Sequence, residues 1–227
     1  MQEHHLAVQR TARYYTLGGG GVSPPAEVWI ACHGYGQLAR RFLRAFEPVA
    51  GPGRLVVAPE ALSRFYLDDA LKVHGPDSRV GATWMTREDR LAEIDDYVRY
   101  LDRVHDIVLG GPPGAAARVV AFGFSQGAAT ASRWAALGTA QPDQLILWCG
   151  LLPPDLDPAA PARWAARGLA VTIVVGRDDA FTPSERVEEQ ERRLHEAGVA
   201  CRVVWFDGGH ELNADMLREV AESIGRG

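Results

Sequence analysis

Six apolar runs recur along the chain from Glu27 onward: EVWIACHG, RLVVAPEA, RVVAFGFS, QLILWCG, AVTIVVGRDD and CRVVWFDGGH. Each is rich in Val or Ile and lacks the polar alternation of a strand with one wet face. Each therefore predicts a strand buried on both sides, as in a parallel sheet covered by helices. Between the runs the period changes. In TREDRLAEIDDYVRYLDRVHDIV, Leu91, Ile94, Val98, Leu101 and Val104 repeat at helical spacing, and Thr86 with Asp89 resembles a capping box. QGAATASRWAALG reads as a helix of small residues able to pack close to the sheet. TPSERVEEQERRLHEAG reads as a surface helix, with Thr182 as cap, Pro183 at its first position, Glu185 completing the box and Gly198 at its end. A last helix is expected from Asn213 to Ile224.

Upstream, HLAVQRTARYYTL alternates like a half-exposed strand and leads into a GGGGVSPP turn. The stretch LSRFYLDDALKVHGPDSRVGATWM, residues 62–85, breaks the rhythm and predicts a long irregular loop, a feature that often carries function. The alternation of strand and helix predicts one α/β domain over residues 1–227, with a mostly parallel central sheet, right-handed crossovers and no separate lid domain.

Composition narrows the function classes. An apolar fraction of 47% over 227 residues supports a substantial core, and a formal net charge of −5 gives no electrostatic reason to expect nucleic acid or an anionic membrane as partner. The N-terminus lacks a basic start and an apolar h-region, and no apolar stretch reaches spanning length, so a cytoplasmic protein without stable membrane insertion is expected. Cys32, Cys149 and Cys201 sit in or at the ends of strand-like runs, where a thiol acts as a small hydrophobe. Their spacing makes neither a disulfide framework nor a zinc site, and neither a metal nor an organic cofactor is implied.

The chemistry centres on AFGFSQGAAT, where Gly123-Phe124-Ser125-Gln126-Gly127 falls between a strand and a helix. Active sites in such sheets lie at the carboxyl ends of strands. A nucleophile elbow there holds its serine in a strained turn and excludes bulk two residues before and two after, which accounts for both glycines. A serine hydroxyl needs a base oriented by an acid, and in hydrolases built on this sheet they follow in the order serine, acid, histidine. His210, after two glycines at the end of the last strand run, is the candidate base. Asp178 and Asp179 compete for the acid role, with Asp207 a weaker third. The oxyanion donors would be the backbone N–H groups of Gln126 and of Tyr35 in the CHGYGQL loop, with His33 as a brace. His4, His5, His105 and His195 read as terminal or solvated.

Together CHGYGQ, GFSQG, GRDDAFTP and GGHEL resemble the phospholipase/carboxylesterase family of α/β-hydrolases, which includes bacterial carboxylesterases and acyl-protein thioesterases. The likeness runs from Glu27 to the end. It implies the α/β-hydrolase fold, with helices on both faces of the sheet and a catalytic Ser125 in the G-F-S-Q-G elbow. The family pattern G-x-x-D-x-x-V-P, read here as Gly176 to Pro183 with Thr182 for valine, selects Asp179; its G-H turn matches His210. Ala128 replaces a second glycine after the elbow, Gln37 replaces an acid, and GATWMTRED reduces an aromatic motif, so the departures concern the acyl pocket. Phe65, Tyr66, Leu67, Trp84 and Met85 suit either the wall of an acyl or aryl site or plain core.

The function implied is that of a serine carboxylic-ester hydrolase acting on small to medium acyl or aryl esters through an acyl-enzyme. A lysophospholipase or acyl-protein thioesterase uses the same chemistry, and a non-catalytic ligand-binding member of the fold is the alternative of another class.

Overall fold

The computed structural model describes residues 1–21, 25–68, 73–110 and 117–224. The tip of the expected GGGGVSPP turn and residues 69–72 of the expected loop lie outside them.

All six apolar runs form strands: β2 (Glu27–Cys32), β3 (Arg54–Pro59), β6 (Arg118–Phe124), β7 (Gln144–Trp148), β8 (Ala170–Gly176) and β9 (Cys201–Phe206). They make a parallel sheet in the order β3-β2-β6-β7-β8-β9, and β1 (Tyr14–Gly18) closes one edge antiparallel to β3. The strand expected from His5 onward is thus confined to its last third.

The sheet is covered on both faces because successive strand residues point opposite ways. On one side Val28, Ile30 and Cys32 of β2 join a core with Ile94, Leu101 and Val104 of α2 (Arg90–Leu109), Trp134 of α3 (Gln126–Leu137) and Leu194 of α5 (Ser184–Glu196). On the other, Trp29 and Ala31 pack with Phe42 of α1 (Ala39–Leu43), Phe46 in the turn after it, and Val220 of α6 (Ala214–Ile224). Burying each large apolar side chain is worth about 1.5–3 kcal/mol, so this two-sided core fixes where every strand ends. The short α4 (Ala160–Ala166) joins β7 to β8.

Three local expectations are corrected. The stretch over residues 62–85 is not wholly irregular: Ser63–Tyr66 (β4) and Val80–Thr83 (β5) pair as an antiparallel ribbon. The capping box of α2 does not form. Asp89 turns left-handed at φ 44° without a side-chain cap, while Glu93 accepts the Thr86 N–H at 2.6 Å. Leu91 faces solvent, 71% exposed, and Tyr97 takes a place in the buried stripe. Likewise Pro183 rather than Thr182 occupies the cap position of α5, with no side-chain capping bond, and Thr182 is buried. Among the described residues no helix is long and apolar enough to cross a membrane.

Candidate active site

Ser125 stands between the end of β6 and the first residue of α3, at φ 55° and ψ −117°, a conformation that a residue with a side chain adopts only under constraint. The constraint is visible around it. The Ser125 N–H donates to the Trp148 carbonyl of the neighbouring strand at 2.9 Å, and its own carbonyl accepts the Ala128 N–H at 2.9 Å. A Cβ on Gly123 would lie 2.1 Å from the Gly127 carbonyl oxygen, and one on Gly127 would lie 2.0 Å from that of Cys32. Both glycines are therefore required by close backbone approach, as the elbow reading expects.

The turns after β8 and β9 bring the other two groups in. His210 Nε2 lies 2.8 Å from Ser125 Oγ, and His210 Nδ1 lies 3.1 and 3.0 Å from the two carboxylate oxygens of Asp179. A proton on Nδ1 lets that nitrogen donate to Asp179 and leaves Nε2 to accept from the hydroxyl, so one tautomer satisfies the whole series. The Asp179 side chain has no exposed surface, whereas that of His210 is 24% exposed. Burial works against the charge on Asp179, but hydrogen bonds from His210 and from the Phe181 N–H at 2.8 Å outweigh it and hold the carboxyl below its usual range. Asp179 thus stays ionised at neutral pH. Asp178 is exposed, and Asp207 points away to pair with Arg177 at 3.3 Å. The histidine ring is held by Phe124 and Phe181, with ring centroids 5.2 and 4.8 Å away. Its loop is tied down by the Trp148 indole, which donates to the Glu211 carbonyl at 2.7 Å.

Gln126 opens α3, so its backbone N–H belongs to the unpaired first turn at the positive end of the helix dipole. Its side chain reaches the other way, donating to the Met85 carbonyl at 2.9 Å and accepting the Trp84 N–H at 3.2 Å. The loop carrying Tyr35 is braced on both sides. The Gly34 N–H donates to Gln37 Oε1 at 2.8 Å, and the Gly36 N–H donates to the Ala82 carbonyl at 2.9 Å. His33 is buried beneath, with Nδ1 2.8 Å from the Gly34 carbonyl and Nε2 accepting the Ala61 N–H at 3.1 Å. Burial lowers its pKa, so it remains a neutral brace.

The residues named for a pocket divide. Leu67 lines a groove of about 440 Å³ beside His210, whose other walls include Leu38, Arg41, Phe42, Phe124 and Leu212. Phe65 stands against the exposed Tyr35 ring at 5.2 Å, and Tyr66 stacks on His74 at 3.9 Å. Trp84 turns inward, 2% exposed, and donates its indole N–H to the His33 carbonyl at 2.8 Å; it braces the Tyr35 loop from below. Met85 is half-buried, its sulfur 3.5 Å from Arg133.

Cys149 is a neighbour the sequence did not flag. It follows β7 at φ 47°, and its sulfur approaches the Gly209 and Glu211 carbonyls at 3.8 and 3.7 Å. Burial pushes its thiol up to about 12. The runs-and-glycines pattern carries no signal for this contact, because a thiol at a strand end looks like core.

The family model described as serine hydrolase (FSH1) matches residues 32–215. MhqD of Bacillus subtilis (strain 168) is 27% identical over 139 residues, which are 59% of this chain and 61% of that protein, so the match spans less than two thirds of the relative. Among solved structures, the acyl-protein thioesterase 2 of Zea mays is similar with a TM-score of 0.70 at 16% identity, over 95% of this chain and 99% of that one. The carboxylesterase of Mesorhizobium loti gives 0.69 at 18% identity over 94% of each chain. Esterase PE8 gives 0.64 at 21% identity over 96% and 99%. At these identities the likeness establishes the α/β-hydrolase fold.

Proposed function

The chain belongs to the FSH1 serine hydrolase family, and from that premise we propose that it is a carboxylesterase in which Ser125, His210 and Asp179 form the catalytic triad. The observation that carries this reading is the 2.8 Å contact between a serine hydroxyl on a strained strand-to-helix turn and an imidazole whose far nitrogen meets a buried carboxylate.

In the proposed mechanism His210 Nε2 takes the hydroxyl proton as Ser125 Oγ attacks an ester carbonyl, and Asp179 stabilises the imidazolium without taking its proton. The backbone N–H groups of Tyr35 and Gln126 receive the oxyanion, a contribution worth about 2.7–4 kcal/mol per donor in enzymes of this kind. The imidazolium then protonates the leaving alcohol, and water repeats the cycle on the acyl-enzyme. Small to medium acyl or aryl esters are the proposed substrates, with the apolar Leu38, Phe42, Leu67 and Leu212 of the groove beside His210 as candidate contacts for the acyl or aryl group. Free thiols at all three cysteines support a reducing, cytoplasmic setting. One α/β domain over residues 1–227 is part of the same reading.

The test is turnover of p-nitrophenyl esters of graded acyl length. Ser125→Ala is expected to lose about 10⁴- to 10⁶-fold in kcat with its circular dichroism unchanged. A folded Ser125→Ala protein that hydrolyses at the wild-type rate refutes the proposal.

A further inference from the structure

The sulfur of Cys149, a carboxylate oxygen of Asp179 and a ring nitrogen of His210 all lie within 4.8 Å of one another. A tetrahedral zinc ion, with bonds of about 2.0–2.3 Å to such atoms, sets its ligands roughly 3–4 Å apart, so small side-chain movements close this cluster around one ion. Cys149 directly follows β7, and Asp179 and His210 lie on the turns after the adjacent parallel strands β8 and β9. Cys149 is fixed further by its left-handed backbone and by the Gly209 and Glu211 carbonyls against its sulfur. A thiolate, an imidazole and a carboxylate form a donor set suited to a soft or borderline cation, and the sulfur disfavours Mg²⁺ and Ca²⁺.

We propose that Cys149, Asp179 and His210 form an inhibitory binding site for Zn²⁺ and ions of similar softness. On binding, the Cys149 thiol gives its proton to solvent and a sulfur–metal bond forms. The metal takes the lone pair at His210 Nδ1, the proton formerly there moves to Nε2, and Asp179 gives an oxygen to the ion. Thiolate and carboxylate together neutralise the two positive charges, and a water completes the tetrahedron. Nε2 then faces Ser125 carrying a hydrogen and accepts no proton from it. Binding stands on the cluster alone; the loss of turnover also rests on the esterase reading above.

The experiment titrates the purified protein with Zn²⁺ and, as a hard-ion control, Mg²⁺, following p-nitrophenyl ester hydrolysis. Co²⁺ is titrated in parallel, following thiolate-to-cobalt charge-transfer absorption in the near ultraviolet. Zn²⁺ is expected to inhibit reversibly with EDTA, and Mg²⁺ is not. Relative to its own uninhibited rate, Cys149→Ala is expected to need about 10-fold more Zn²⁺ or beyond, while Cys201→Ala behaves as wild type. The cobalt band appears in wild type and vanishes in Cys149→Ala, with Cys149→Ser as a second variant should alanine not fold. Equal zinc sensitivity with and without the Cys149 sulfur, or no cobalt band at saturation, overturns the proposal. A protein without esterase activity that still shows the band overturns the esterase reading and leaves the metal site standing.

Discussion

The two ends of the parallel sheet differ in a way that volume does not predict. The amino end carries the larger hollow, about 630 Å³, lined by Arg118, Asp143, Gly168, Thr172 and Arg202 among others. The groove beside His210 at the carboxyl end is about 440 Å³. At the amino end the polar groups are engaged in holding the fold. Asp143 accepts the Val119 N–H at 2.7 Å, while Gln144 and Arg202 donate to Thr172 at 2.9 and 3.1 Å. At the carboxyl end two non-glycine residues, Ser125 and Cys149, sit in positive-φ conformations, and a hydroxyl, an imidazole and a carboxylate meet in series. Strain and convergence mark the candidate site. The size of the hollow does not.

Placing the same substitution at both ends tests that contrast. The largest effect is expected for Gly127→Ala, because a Cβ there would lie 2.0 Å from a backbone oxygen on β2 that cannot move without breaking the sheet. Urea unfolding should show a loss of about 4 kcal/mol or more, or no folded protein, and esterase activity should go with it. At the amino end, Gly168 has φ +76° and open space within 4 Å of the position a Cβ would take, so Gly168→Ala meets only the intrinsic left-handed penalty of about 1–2 kcal/mol, with turnover kept. Equal losses in the two variants would erase the distinction between the ends.

The smallest effect concerns His33. Burial holds its folded pKa below the ordinary value, so the unfolded chain binds a proton that the folded protein refuses. Stability is then full above the unfolded pKa and falls as pH drops from that value toward the folded one. Between about pH 7.5 and about pH 5.5 the urea midpoint should drop more in wild type than in His33→Gln. Identical pH slopes would show that His33 does not stay neutral beneath the Tyr35 loop.

The sequence was most legible where burial is two-sided. The six apolar runs read as strands because both faces of each had to be hydrophobic, and their order pointed to Ser125, to His210 and to an acid after β8. The family resemblance, not the order, chose Asp179 over Asp178, and the fold brings Ser125, His210 and Asp179 together. β4 and β5 were illegible because each is only four residues long: β4 is half-exposed, and β5, though mostly buried, is the short sequence VGAT, so neither rises above a loop. The left-handed turn at Asp89 defeated the cap expected for α2, since a side-chain pattern does not report a backbone sign. Large apolar residues close to strand ends do not reveal which way they point: Trp84 turned into the core, while Leu67 reached the groove. Cys149 read as plain core, because a thiol at a strand end belongs to no motif that ties it to the turns bearing Asp179 and His210.

Activation of the Ser125 hydroxyl by His210 underlies everything proposed for the carboxyl end of the sheet, and covalent labelling with a fluorophosphonate probe followed by peptide mapping tests it most directly. One adduct on Ser125, absent in Ser125→Ala and strongly slowed in His210→Ala, is the result expected. No adduct on the wild-type protein, or one that persists after Ser125→Ala, would contradict it.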